Sequence, residues 1–555
     1  MALCFTALFL TVEVQNHMSK FTRALTAQRA NRFQEAETLY GQVLARHPDH
    51  ASARAHLGRV LLGLGRVEEA RLSLETSLAL APYASDTCFD LANVLYIQGQ
   101  HADASVHYQK TVELAPGHAE AWYNLGVTRS IEKRVDEAIA CYQEALRLRP
   151  NYQDAHNNLG TLLQATGRMH EAVEHYRRAG SVESSYNLGL WLQQQDQPEA
   201  AEAEYRSVLD RRPDHPEAHN NLGNLMLGLG RSDEALASYR RAIELNPGHT
   251  EAQWNLGLVQ LLFGQFEDGW RNYEWRFRQT SSVPRHFAEP LWDGSPLDGR
   301  RILLHAEQGL GDVLQFIRYA PMVYDRGGRV IVECHPPLLE LLQGVRGIEE
   351  LIALGDPLPE FDCHAPLMSL PHIFGTRLET IPAVTPYLKP DPERVRRWKA
   401  VFDRWPGPKV GLTWSGNVAH KENSKRSVPT EALAQIAVPG VHFFGLQKGP
   451  AEVLQVPSAL NLHWVEDDST DLTDTAAILG HLDLVISVDT SITHLAGALG
   501  RPVWTLLPFA ADWRWLKDRD DCPWYPTMRL FRQKCRGEWG PVLAKVRAGL
   551  EHYAR

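Results

Sequence analysis

A period constrains this chain more than any other feature. A Leu-Gly or Leu-Ala pair recurs at Leu57, Leu91, Leu125, Leu159, Leu188, Leu222 and Leu256, in steps of 34 residues with one step shortened to 29. A small-residue column runs in phase through Ala36, Ala70, Ala104, Ala138, Ala172, Ala201 and Ala235 and continues at Gly269. A third column is Tyr40, Leu74, Tyr108, Tyr142, Tyr176, Tyr205, Tyr239 and Tyr273. Prolines at Pro48, Pro82, Pro116, Pro150, Pro213 and Pro247 close most units, where a helix must stop and the chain must turn. A unit of this length is a helical hairpin that cannot bury its apolar face alone, so the stack is what folds.

The pattern resembles the tetratricopeptide repeat and implies about eight hairpins over residues 17–279, one of them shortened between Tyr176 and Leu188. The small column is expected to let the two helices of a hairpin approach closely, and the Leu and Tyr columns to fill the space between successive hairpins. The first helix of each unit lines the concave side of such a superhelix. There Asn124, Asn158, Asn187, Asn221 and Asn255 each precede the Leu-Gly pair. A carboxamide donates and accepts at once, so this ladder can hold the backbone of an extended protein or peptide partner. The alternative is that each Asn bonds a neighbouring hairpin.

Around residue 280 the period ends in QTSSVPRHFAEPLWDGSPLDG, a Pro-, Gly- and Ser-rich stretch that reads as a linker over 280–299. Trp270, Trp275 and Trp292 lie close to it, and their bulk suggests that the last hairpin packs on the next domain. From Arg301 short β-rich runs alternate with helical ones: RILLHAE, GDVLQFIRYAPMVYDRG, RVIVECH, PLLELLQGV. After PDPERVRRWKAVFDRWPG the alternation restarts with KVGLTWSG, VHFFGLQ, LDLVISVD and RPVWTLLP. Strand–helix alternation implies parallel sheets, and the restart implies two Rossmann-like halves, 300–392 and 393–555, the second with a closing helix. The fold class is therefore multidomain, an all-α repeat superhelix followed by an α/β region. Ligands in such sheets sit at the carboxyl ends of strands, here in a cleft between the halves.

Composition narrows the functions. A hydrophobic content of 44% with 22% charged residues is that of an ordinary globular protein, and no apolar run approaches the roughly 20 residues of a membrane helix. The net charge of −10 argues against general nucleic-acid binding. Seven scattered cysteines without a CxxC pair read as reduced thiols and a cytoplasmic location. Residues 1–16 carry a short apolar stretch without the flanks of a signal peptide, and Met18, directly before the periodic sequence, competes with Met1 as the start.

Two turns hold the candidate chemistry. In EQGLGDVLQF, Gly309 and Gly311 permit tight turns and Asp312 falls near a helix start facing the cleft. The third glycine of a dinucleotide fingerprint is replaced by Leu314, leaving only Glu333 for that reading, and no Gly-Lys-Ser/Thr follows. The combination of GLGDVLQF with VISVDTSITHLAGALGRPVWTLLP resembles the heptosyltransferases of glycosyltransferase family 9, which have the GT-B fold, over roughly residues 300–540. Repeats ahead of such a domain also resemble the plan of protein O-GlcNAc transferases.

The resemblance implies an inverting transfer of sugar from a nucleotide-sugar, without a metal or other cofactor, and it makes Asp312 the base. Asp489, Thr490 and His494 match the family's Asp-Thr-Gly-x-x-His pattern, which departs at Ser491, where glycine is usual. The helix start at Thr490 and Ser491 can cradle a diphosphate, Asp489 caps the helix or holds a sugar hydroxyl, and His494 bonds phosphate or pyranose. The loop with His420, Lys421, Lys425 and Arg426 can neutralise a leaving diphosphate. Ser415 and Gly416 are expected beside the phosphates and Gln447 at the ribose. Trp513, Trp515, Trp524 and Tyr525 either stack on sugar or base or belong to the core. The rival function is a non-catalytic scaffold whose α/β region is a degenerate nucleotide-binding module.

Overall fold

In a computed structural model the described residues are 20–279, 285, 287–417, 423–450, 454–465 and 471–553. They form two compact units divided at Pro213/Asp214. The first unit is a run of helical hairpins: Ala51–Gly63 with Val67–Leu80, Ser85–Ile97 with His101–Leu114, Ala119–Ile131 with Val135–Leu148, Gln153–Ala165 with Met169–Ala179, and Val182–Gln194 with Pro198–Arg211. The shortened period is explained at Met169–Ala179, which has 11 residues where other second helices have 14 and ends at Gly180 in the left-handed conformation.

The glycines of the Leu-Gly pairs let the two helices of a hairpin approach closely, facing the small column. A Cβ on Gly160 would lie 3.3 Å from the Ala172 carbonyl and 2.8 Å from the Tyr176 ring, and one on Gly126 would lie 2.7 Å from Tyr142. The tyrosines thus pack against the glycine of their own hairpin and also reach the next one, as where Tyr40 stacks on His56 at 5.8 Å. Their hydroxyls are spent there too. Tyr108 donates to Asn93 Oδ1 (2.6 Å), and Tyr176 donates to Gln164 Oε1 (2.8 Å). Several hairpins open with a histidine cap, as at His50 and His118, whose Nδ1 accepts the backbone N–H three residues on.

The second unit starts with two more hairpins, Pro216–Gly228 with Ser232–Leu245 and Thr250–Leu262 with Phe266–Tyr273, and carries both sheets. The compact division therefore falls earlier than the change of sequence pattern at 280. The cause is aromatic. Trp270 is buried, stands edge-on to Trp513 at 5.2 Å, and donates its indole N–H to the Thr376 carbonyl at 2.9 Å. Trp292 is likewise buried, and the segment around it adds a bridge from Leu291 to His364 at the sheet edge. Glu333 is held by Arg285.

The first sheet has strands β1 (Arg301–His305), β2 (Arg329–Cys334), β3 (Ile348–Ala353) and β4 (Cys363–Pro366) in the order β3-β2-β1-β4, every pair parallel. The second has β5 (Lys409–Thr413), β6 (His442–Gly445), β7 (Leu462–Trp464), β8 (Leu484–Val488), β9 (Val503–Leu507) and β10 (Met528–Arg532), in the order β10-β9-β8-β5-β6-β7 and again parallel. Runs such as LVISV are buried at every position, as strands covered on both faces require. The helix Gly540–Tyr553 closes the chain.

Candidate functional site

The two halves meet where helix Leu310–Phe316, after β1, packs on helix Ser491–Ala498, after β8. Gly311 is the point of closest approach. A Cβ there would lie 2.9 Å from Cδ2 of His494, so any larger residue would push the helices apart.

Asp312 stands in the first turn of its helix, where a cap is the ordinary role of an aspartate. Its carboxylate instead accepts a 2.6 Å bond from Nη2 of Arg514, and the two side chains are 18% and 10% exposed. Arg514 has no free donor edge left, because Nε donates to Gln315 Oε1 and Nη1 to Asp512, both at 2.9 Å. Burial pushes the Asp312 carboxyl above the ordinary carboxylate range, the Arg514 charge opposes this, and the Asp512 charge adds to it. A buried carboxylate with a raised pKa is a better proton acceptor than a solvated one.

Asp489 follows β8. Its carboxylate accepts the indole N–H of Trp515 at 2.8 Å, so it does not cap the helix; Thr490 occupies that position, with its hydroxyl 3.1 Å from Ser487 Oγ. Burial, aided by the Asp512 charge, raises Asp489 to about 6. The first turn of the Ser491–Ala498 helix presents amide groups beside half-buried Thr490 and Ser491, and Arg426 donates to the Asp489 carbonyl at 3.2 Å. A helix start with a guanidinium next to it is suited to an anion.

Two expectations change. His494 is buried, and its Nδ1 lies 2.9 Å from the Tyr525 hydroxyl while its ring stacks on Trp515. Burial lowers its pKa well below the usual value, with the Arg514 and Arg318 charges acting in the same direction, so the ring is neutral and brings no charge to a phosphate. Gln447 is not a free ribose ligand: its Oε1 accepts the N–H groups of Trp414 (3.1 Å) and Ser415 (2.9 Å), and its Nε2 donates to the Lys448 carbonyl. It fixes the end of β5. Trp513, Trp515, Trp524 and Tyr525 are buried, in line with the core reading of them.

Ser415 and Gly416 are organised by Asn423, which sequence reasoning missed. Asn423 donates to Ser415 Oγ (3.1 Å) and accepts from the Gly416 N–H (2.9 Å). A Cβ on Gly416 would meet the Arg426 guanidinium at 2.6 Å, so the glycine makes room for that cation. Lys425 is exposed, and His420 and Lys421 lie outside the described residues. Arg514 and Asp512 were also missed as site residues, and Trp515, expected on a sugar or base or in the core, holds the Asp489 carboxylate. Only the run of charge and aromatics in PFAADWRWLKDRDD pointed to them.

In the asparagine column Nδ2 of Asn124 donates to Asn93 (3.3 Å) and that of Asn158 to the Tyr123 hydroxyl (3.1 Å), while Asn187 is half-buried. In the second unit Asn255 donates to Asn220 and Asn224, and Asn221 accepts from Asn220. The column therefore bonds preceding hairpins at several positions, as the alternative reading had it.

Tetratricopeptide repeat profiles match residues 21–85, 89–129, 119–152, 141–174, 186–248 and 222–269. Residues 21–269 thus carry tetratricopeptide repeats. Residues 468–511, which carry Asp489, Thr490, Ser491 and His494, match glycosyltransferase family 9 (heptosyltransferase), and this supports glycosyl transfer as the activity class. The chain is 31% identical over 316 residues to "Protein FlbA" of Caulobacter vibrioides, a match covering 52% of each. It thus spans about half the length of the curated relative it matches. Solved structures similar to it include "Crystal structure of MamA" (22% identity, 28% of this chain and 91% of that one, TM-score 0.27) and "Crystal structure of APC/C hetero-tetramer Cut9-Hcn1" (17% identity, 42% and 48%, TM-score 0.35). No described helix is long and apolar enough to cross a membrane.

Proposed function

We propose that the protein is an inverting, metal-independent glycosyltransferase that moves a sugar from a nucleotide-sugar to a polypeptide acceptor recruited by the repeats. The donor's diphosphate lies against the helix start at Thr490 and Ser491, with Arg426 beside it. Asp312 takes the proton of the acceptor hydroxyl as its oxygen attacks the anomeric carbon. The bond from that carbon to the diphosphate oxygen breaks, and its electron pair leaves with the nucleotide. The single observation that carries this reading is the buried Asp312 carboxylate, raised in pKa and aimed by Arg514, at the junction with the half that matches a transferase family.

Replacing Asp312 with Asn keeps the shape and removes the base. Turnover in a donor-consumption assay is expected to fall by about 10²–10⁴-fold, with nucleotide affinity by isothermal titration nearly unchanged. Equal activity in the variant would end the assignment. One observation favours the scaffold reading: Asp312 is ion-paired, and a carboxylate locked to a guanidinium can be purely structural. Titration with UDP, ADP and GDP beside the donor-consumption assay separates the two: a scaffold without a donor site binds none of them, and nucleotide binding without transfer leaves a degenerate nucleotide-binding module.

A further inference from the structure

Within the second unit a half-open cavity of about 1380 Å³ lies away from the Thr490 helix start. It exceeds the roughly 300–1,000 Å³ that small-molecule sites occupy, and the donor reading does not use it. One wall is the repeat: Leu227, Leu258, Val259 and Leu262, on helices Pro216–Gly228 and Thr250–Leu262. The lining from β10, the turn after it and the closing helix carries Arg529, Lys534 and Lys545, all exposed, and with Lys517, Arg519 and Arg532 the lining holds six Lys and Arg against Asp512, Asp518 and Asp520. Such a local excess of cation is notable in a chain of net charge −10.

The floor is the loop after β9, with Phe509, Trp513 and Leu516. This loop is anchored on the repeat side. A Cβ on Gly230 would lie 2.6 Å from the Phe509 ring, the Lys517 N–H donates to the Leu262 carbonyl at 2.9 Å, and the Lys517 ammonium sits 4.7 Å above the Phe263 ring. The same loop supplies Arg514 to Asp312 and Trp515 to Asp489, and Asp512 borders both the cavity and that network.

We propose that this cavity seats an acidic, amphipathic segment of the polypeptide acceptor, its apolar side chains against the repeat wall and its carboxylates toward Arg529, Lys534 and Lys545. The size suits an extended chain, and alternation of side chains along an extended segment puts apolar and acidic groups on opposite faces, as the two walls require. The acceptor role rests on the transferase reading above. The binding site does not.

The test uses the full chain and fluorescein-labelled peptides of alternating Glu and Leu, with Gln-Leu and Lys-Leu counterparts, read by anisotropy without any sugar donor. The Glu-Leu peptide is expected to bind best, more weakly as salt rises, and about tenfold more weakly to the Lys534→Glu/Lys545→Glu variant. Leu227→Ser is expected to weaken the Glu-Leu and Gln-Leu peptides alike. No binding by the Glu-Leu peptide, equal binding of all three peptides, or an unchanged affinity in both variants overturns the site. So does binding that is lost only on replacing Asn158 and Asn187 with Ala. Nucleotide titration on the same samples reads the donor site separately, so failure of the peptide site and failure of the transferase reading give different results.

Discussion

The repeat hairpins and the loop around Arg514 are built from similar side chains used over very different chain distances. In several hairpins the tyrosine hydroxyl meets an asparagine or glutamine 12 or 15 residues earlier, as Tyr176 meets Gln164 and Tyr239 meets Asn224. Around the loop, Arg514 reaches back 202 residues to Asp312 and 199 to Gln315, and Arg318 reaches forward 206 to the Trp524 carbonyl. Repeated local bonds divide stability into similar parcels that a neighbour can help to replace. A single long-range ion pair has no substitute, and its charges are buried.

The comparison is tested most severely by Arg514→Gln. Losing one member of a buried ion pair typically costs about 3–5 kcal/mol, because the charges left behind are unpaired; here these are Asp312 and Asp512. The sign of its pH dependence follows from Asp312, whose folded pKa is already above the unfolded value and rises further without the guanidinium. A carboxyl raised in the folded state binds its proton more tightly there than when unfolded, so the variant's deficit should shrink as pH falls through the raised pKa toward the ordinary carboxylate value. Urea unfolding of wild type and variant at several pH values checks this. If transfer is measured, its acidic limb should lie above the ordinary carboxylate range and move higher in the variant. A deficit independent of pH would show that Arg514 acts by packing alone.

The repeats offer a milder case. Gly160→Ala puts a methyl 2.8 Å from the Tyr176 ring and 3.3 Å from a backbone carbonyl that cannot easily move. Overpacking of this kind costs about 1–3 kcal/mol, and in a stack it should act mainly on its own hairpin and the next. Hydrogen exchange is expected to show lost protection around Gln153–Ala179, with the second unit unaffected. Protection lost evenly over the chain would mean that the hairpins do not behave as parcels.

These distances also decide what could be read from the sequence. The columns were legible because a 34-residue period repeats the same local geometry, and the main strands were legible because buried parallel strands are unbroken apolar runs. The short strands Ile348–Ala353, Cys363–Pro366, Leu462–Trp464 and Met528–Arg532 carry charged or polar residues and were passed over. At the site, Asp312, Asp489 and Thr490 were singled out because turns and helix starts are local signals. Arg514, the partner of Asp312, was not, since nothing in an arginine's own neighbourhood tells which carboxylate some two hundred residues away it will meet. Gln447 and His494 were given ligand roles for the converse reason: a polar residue at a strand end or in a first helical turn looks the same in sequence whether it faces a ligand or satisfies groups of the protein itself.

The asparagine column gives the smallest effect and the finest discrimination. If Asn158 serves only to join hairpins, Asn158→Ala removes one bond to the Tyr123 hydroxyl, an exchange worth about 0.5–1.5 kcal/mol. Tyr123 is half-buried, so water can replace the lost partner and the cost should fall at the low end of that range. A peptide-holding Asn would behave differently, since its free carbonyl, not its Nδ2, would be the group in use. Asn158→Asp separates the two, because it replaces the Nδ2 donor with an acceptor to which the Tyr123 hydroxyl can donate in turn, and places a negative charge on that face. Thermal melting should then move little for either variant, while a peptide partner held along the column should lose affinity in both, and more in the aspartate if that partner is acidic.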